Sequence, residues 1–297
     1  MLLNSEPLQN SSPLQRRKLG LELRRLRKAA GLTLGEVASE LYRSSSTVSR
    51  MERARVSITP RDVRDMLQLY GVESHQQVAL LELALEAHRK DPFWQAHGDL
   101  PPDFRTYVSL EKVAGIVMQH ECLAIPGLLQ LRPYALAFSR ALFPNATAEQ
   151  IERHVEFRMA RQTLLLEDDP PLFEAVLDEA ALRRLVGGRR VMRDQPYHLA
   201  DVTEIPNIIL QVIPFDAGEH GGMAGPFTIL TFRDSSDLDE TYIEYSAAEI
   251  MINTPTQLQR HRSVFERLQS TALSPRDSAA FFRDRAMKLQ DPSLEYP

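Results

Sequence analysis

Between positions 43 and 55 the chain reads RSSSTVSRMERAR, a run of hydroxyl side chains followed by arginines. If Ser44 caps a helix SSTVSRMERA, Val48 and Met51 face inward, and Ser45, Ser46, Ser49 and Arg50 point outward. Small hydroxyl residues let a helix N-terminus approach bases and phosphates closely. The helix dipole and free N–H groups there attract phosphate. Arg50, one turn on, is long enough to fork onto guanine O6/N7 or onto a phosphate. Arg43, Arg53 and Arg55 flank it and would mainly neutralise backbone charge. The expected chemistry is recognition of double-stranded DNA.

Bond-making chemistry finds no comparable pattern. His120-Glu121 is followed by no second histidine at helical spacing, so the metalloprotease pattern is absent and a helix end is the expected role. Gly218-Glu219-His220-Gly221-Gly222 lacks the lysine of a phosphate loop and is expected to be a hairpin loop between two strands. Gly187-Gly188-Arg189-Arg190 reads as a helix end. Cys122 has His120 nearby in sequence, but a catalytic pair is formed in space. Asp168-Asp169 and the group Asp237, Asp239 and Glu240 read as solvated charge in loops. No catalytic residue, metal ligand or cofactor site is assigned, and an enzyme is not expected.

Presenting the 43–55 segment to DNA requires a scaffold of helices. Leu19, Leu23, Leu26 and Ala30 recur at three- and four-residue spacing, and Gly31 stops that helix. Thr33 then caps a second helix, with Glu36 three residues on in the capping-box pattern and Leu34, Val37, Ala38 and Leu41 on its apolar face. After a break at Tyr42-Arg43 comes the helix capped by Ser44. Thr59 and Pro60 open a fourth, carrying Val63, Met66, Leu67 and Tyr70 and ending at Gly71; residues 75–90 make a fifth. Short helix, short break, short helix is the architecture that lays a second helix in the major groove.

Charge supports that division. Residues 1–71 carry 13 Lys/Arg against 7 Asp/Glu, a net of +6, and the remaining 22 against 33 leave −11 over residues 72–297. A basic head on an acidic body fits a head that meets a polyanion. The length of 297 residues favours two domains. The single cysteine excludes an intrachain disulfide framework and an all-cysteine zinc site. No run approaches the roughly 18 apolar residues of a membrane span. The polar N-terminus lacks signal-peptide order, so the cytoplasm is the expected location. The expected layout is a disordered tail at 1–14, a helix-turn-helix domain at 15–90, a proline-rich linker at 91–103, a body at 104–290 and a tail at 291–297.

In the body, residues 104–121 read as helical, the segment 124–143 as a Pro-Gly turn followed by a helix, and 147–168 as helical again. Strands are expected at 172–178, 208–215, 227–233 and 241–246, with helices around 179–186, 190–202, 255–270 and 275–289. The fold class is therefore mainly α with α+β: a five-helix head, and an α+β body with a small, mostly antiparallel sheet.

The stretch GLELRRLRKAAGLTLGEVASELYRSSSTVSRMERARVSITPRDVRDMLQLYGV resembles the xenobiotic-response-element (XRE) class of helix-turn-helix domains, which includes the phage repressors. By that resemblance Ser45, Ser46, Thr47 and Arg50 fall at positions that touch DNA. Together with the flanking residues, the DNA-binding set is Arg43, Ser44, Ser45, Ser46, Thr47, Ser49, Arg50, Arg53 and Arg55. The resemblance also implies a buried ion pair between Arg27 and Glu52, joining the first helix to the third. Three positions depart from the pattern. Tyr42 and Ala54 stand where glycine is common, which would strain the turns, and Leu34 stands where a phosphate-contacting glutamine is common. In the body, IPGLLQLRPYA, the RMARQ stretch, LDEAALRRLVGG, NIILQVIPFDAGEH and LSPRDSAAFFRD resemble the C-terminal domain of the WhiJ-like actinobacterial regulators.

That resemblance implies a DNA-binding transcriptional regulator with a small companion protein, often encoded next door; a homodimer is expected, since two-fold pairing sets half-site spacing. The body would sense a ligand or bind the partner. Two other classes stay open. One is an antitoxin-like interaction module that neutralises a small partner and binds DNA to regulate itself. The other is an enzyme fused to a DNA-binding head, which a deep pocket of converging titratable groups would favour.

Overall fold

The structure is a computed structural model, and it describes residues 13–89, 102–233, 239–245 and 248–290. The tail at 291–297, residues 1–12 of the expected N-terminal tail, most of the linker and Asp237 lie outside the described residues. The chain divides into two compact units, residues 1–112 and 113–297.

The amino-terminal unit contains helices α1 (Pro13–Ala29), α2 (Leu34–Glu40), α3 (Ser45–Glu52), α4 (Pro60–Leu69), α5 (Ser74–His88) and α6 (Pro102–Glu111). Helix α1 begins at Pro13, so the last two residues expected in the tail are helical. Thr33 and Glu36 form a capping box on α2, and Thr59 and Asp62 form another on α4. Leu19, Leu23, Val37, Val48, Val63, Met66 and Leu67 make the core of this unit. Ala30, expected on the apolar stripe of α1, is exposed, because Gly31 already carries the chain out of the helix with φ 70°. Helix α6 belongs to this unit, where it packs against α1, although its sequence was assigned to the body.

The carboxy-terminal unit is built on one mixed six-stranded sheet. Its strands are β1 (Ile116–Glu121), β2 (Leu172–Asp178), β3 (Ile208–Ile213), β4 (Phe227–Thr231), β5 (Glu240–Tyr245) and β6 (Ala248–Ile252), in the order β3-β2-β1-β4-β5-β6. Strands β1, β2 and β3 run parallel, and β4, β5 and β6 add antiparallel pairings. The α+β class agrees with expectation, but the sheet is larger than expected and mixed, with two parallel pairings beside three antiparallel ones. Two strands escaped the sequence reading. Residues 116–121, expected to continue a helix from 104, form the third strand from the β3 edge. Its sequence, IVMQHE, is three apolar residues followed by three polar ones, with no alternation to separate it from a helix. β6 is a five-residue edge strand with too few residues to show a period.

Parallel strands need crossovers, and helices supply them. Helices α7 (Arg132–Leu142) and α8 (Ala148–Arg161) join β1 to β2; α9 (Glu179–Arg183) and α10 (Arg189–Val202) join β2 to β3. Helices α11 (Pro255–Thr271) and α12 (Pro275–Gln290) follow the sheet, as expected. Phe265 and Leu268 of α11 close a core over Val176, Ile213, Phe227 and Ile229. Because β3 and β4 are not neighbours, the loop containing Gly218–Gly222 is a crossing connection rather than a hairpin. Gly187 and Gly188 do not simply end a helix: Gly188, with φ 89°, is the N-cap of α10.

Candidate nucleic-acid interface

Helices α2 and α3 with the turn between them form a helix-turn-helix. Ser44 caps α3 by accepting from the Thr47 backbone N–H at 3.1 Å. Val48 and Met51 are buried in the core, which turns Ser45, Ser46 and Arg50 outward. The chain leaves α2 and α3 in the same way. Arg43 N–H donates to Ala38 O at 2.8 Å and Tyr42 N–H to Ser39 O at 3.2 Å, with Tyr42 at φ 52°. After α3, Arg55 N–H donates to Arg50 O at 2.8 Å and Ala54 N–H to Met51 O at 2.9 Å, with Ala54 at φ 55°. These are Schellman endings, which place one residue in the left-handed region. The glycines Gly31 and Gly71 hold the equivalent position after α1 and α4 at no steric cost.

The nine residues read as a DNA-binding set are brought together on and around α3, but they are not equivalent. Ser45, Ser46, Arg50, Arg53 and Arg55 are exposed. Ser44 is committed as a cap, its hydroxyl also bonded to the hydroxyls of Ser46 (2.8 Å) and Thr47 (2.9 Å), and Thr47 is half-buried. Arg53 donates to the Ser49 hydroxyl, and Arg43 faces Asp62 of α4 at 3.6 Å. Leu34 lies half-buried against the core of this unit. Tyr42 is 95% exposed in the turn.

The structure joins Arg27 and Glu52 through two parallel bonds: Nε to Oε1 at 2.6 Å and Nη2 to Oε2 at 3.0 Å. Arg27 also donates to Leu32 O at 2.8 Å, so one side chain ties α1, the α1–α2 turn and α3. The bond to Glu52 raises the guanidinium further above its usual range, and burial raises the neighbouring Tyr70 phenol. Gly20 was missed. A Cβ there would stand 2.6 Å from Glu52 O, so α1 and α3 meet backbone to side of helix at this residue. The available signal was a glycine in the middle of a leucine- and arginine-rich helix, which needs a packing reason.

In the carboxy-terminal unit His120 is not at a helix end. It is fully buried in β1, with Nδ1 3.0 Å from Val176 O and Nε2 3.1 Å from Gly222 O. Burial lowers its pKa, and each ring nitrogen faces a carbonyl oxygen, of which the neutral ring can donate to one. The Cys122 thiol is itself pushed up to about 11 by burial and by Glu121 and Asp178. His220, from the crossing loop, bonds Asp178 at 3.0 Å, and Asp178 also caps α9. Asp169 pairs with Arg233 and Asp239 with Arg262, each at 2.6 Å. Among the described residues no group of three or more His, Cys, Asp or Glu is placed to hold a metal ion.

A recognition helix with an outward Ser/Arg face, braced by a buried ion pair, defines a helix-turn-helix protein of the DNA-binding kind. The helix-turn-helix domain family model matches residues 18–81. The family model described as Domain of unknown function (DUF5753) matches residues 104–284, more than half of the chain. The chain belongs to the DUF5753 family. No curated protein and no solved structure matches it. Among the described residues no helix is long and apolar enough to cross a membrane.

Proposed function

We propose that this protein is a sequence-specific transcriptional regulator of the XRE class, allied to the WhiJ-like actinobacterial regulators. It acts as a cytoplasmic homodimer whose carboxy-terminal domain senses a ligand or binds a small partner protein. The observation that carries the reading is the outward face of α3, where Ser45, Ser46 and Arg50 stand exposed at the start of the second helix of the motif. Hydroxyls at that N-terminus admit close approach to a phosphate, and an arginine one turn on reaches a base edge. No catalytic role is proposed.

Selection of bound sequences from a random duplex pool, with the intact protein at near-physiological salt, tests this directly. Enrichment of a defined motif is expected. Failure to enrich any sequence, with or without the neighbour-encoded small protein, would sink the regulator reading and leave the antitoxin-like role.

A further inference from the structure

Between α3 and α4 the chain runs through Arg53, Ala54, Arg55, Val56, Ser57 and Ile58 before Thr59 caps α4. Both ends of this connection are pinned. At the first, Arg55 N–H donates to Arg50 O at 2.8 Å; at the second, Thr59 and Asp62 close the capping box. Arg55 points its charge to solvent between them. Ile58 is buried in the core, whereas Val56 is half-buried against it. Val56 and Ile58 also line a shallow groove with Arg16 and Leu19 of α1 and Ala87 and His88 of α5. Packing therefore backs the connection only in part.

A polar tie stands beside that groove. The Ser57 hydroxyl lies 3.0 Å from Nε2 of His88, the last residue of α5, and both side chains are half-buried. Nδ1 of the same ring lies 2.9 Å from Ala84 O, one turn back in α5. A carbonyl oxygen only accepts, so Nδ1 carries the proton and donates. In the neutral ring Nε2 is then the acceptor, and Ser57 O–H donates to it. Helix α5 thus fixes both the tilt of the imidazole and the direction of the bond. Ser57 is two residues from Arg55, about 7 Å of extended chain, so a shift at one is felt at the other.

We propose that His88 is a positioning residue for DNA binding: through Ser57 it holds the α3–α4 connection where Arg55 meets the phosphate backbone. Neither His88 nor Ser57 needs to touch the duplex. The proposal rests on the regulator reading above and adds to it a residue outside the helix-turn-helix, 33 positions from the arginine it places.

Titration of the intact protein with its selected duplex over a series of salt concentrations tests this. His88→Ala and Ser57→Ala should each weaken binding roughly three- to tenfold, the size of effect one lost hydrogen bond carries. Both should also reduce the slope of log affinity against log salt by about 1, as loss of one phosphate contact does, and leave base preference unchanged. Ser57→Thr keeps the hydroxyl and should keep affinity and slope. In an Arg55→Ala background, His88→Ala should add no further loss, because the contact it positions is already gone. Ser57→Ala removes a single half-buried oxygen, so it reports even if His88→Ala fails to fold. A tie that served only the fold would lower Tm and leave the slope where it was. That result overturns the proposal, as does a loss that adds in full to that of Arg55→Ala; either leaves the regulator reading intact. Failure of the intact protein to select any duplex sinks the regulator reading and this proposal with it.

Discussion

Arg50 differs from its neighbours on the α3 face: it is exposed and has no ion pair or hydrogen-bond partner through its side chain among the described residues, whereas Arg53 is held by Ser49 and Arg43 by Asp62. A free fork at that position is suited to a base edge. Arg50→Ala is expected to relax sequence preference at one base pair and to cost roughly 1–3 kcal/mol of specific binding, read by repeating the selection and titrating the enriched duplex. Arg55→Ala should instead weaken all duplexes alike and reduce the slope of log affinity against log salt by about 1. If Arg50→Ala lowered affinity for every sequence equally, Arg50 would be a phosphate contact. Arg27 acts on stability rather than contact. Arg27→Ala leaves the Glu52 carboxylate buried without its fork and should cost roughly 3–5 kcal/mol in urea unfolding. Replacing the pair by Met and Leu should recover most of that loss, because no charge is then stranded.

At the scale of elements, four helices of the amino-terminal unit end in the same left-handed turn, but only α1 and α4 use glycine for it. Tyr42 and Ala54 hold φ near 50° against the clash of Cβ with the following carbonyl, a cost of about 1–2 kcal/mol each. Ala54→Gly should therefore raise the urea midpoint with little change in slope; an unchanged or lower midpoint would mean that glycine's unfolded-state entropy outweighs the relieved strain. Gly20→Ala should go the other way. Its methyl would press into the Glu52 carbonyl, shift α3 and lose both Tm and specific DNA binding, which calorimetry and the selected duplex read together. These features mark what could be seen in the sequence. Helices α2, α3 and α4 were legible because each carries its own start signal, Thr33 with Glu36, Ser44, and Thr59 with Pro60. Strained turns at Tyr42 and Ala54 were legible only through the resemblance. β1 was not legible, since IVMQHE is three apolar residues followed by three polar ones and has no alternation to give it a period. The place of His120 was not legible either, because its partners, Val176 and Gly222, lie 56 and 102 residues away.

For the whole molecule, the division at 112/113 decides which fragment is informative. Helix α6 packs on α1, so a fragment cut at 90 would strip a face of the DNA-binding unit, and a fragment of residues 1–112 keeps it. A single helix-turn-helix reads one half-site, and a two-fold dimer reads two, about one helical turn apart. If the body holds the dimer together, the intact protein should enrich an inverted repeat, and the 1–112 fragment only its half-site, more weakly. Tethering the two heads makes the second contact intramolecular, so the gap between intact protein and fragment should be large on the full repeat and small on a half-site. Helix α5, with Val78 and Leu85 exposed, stays in the fragment as a second surface on which two copies could pair. An inverted repeat recovered equally well by both proteins would place pairing there, and would leave the body free to act on the head without holding it.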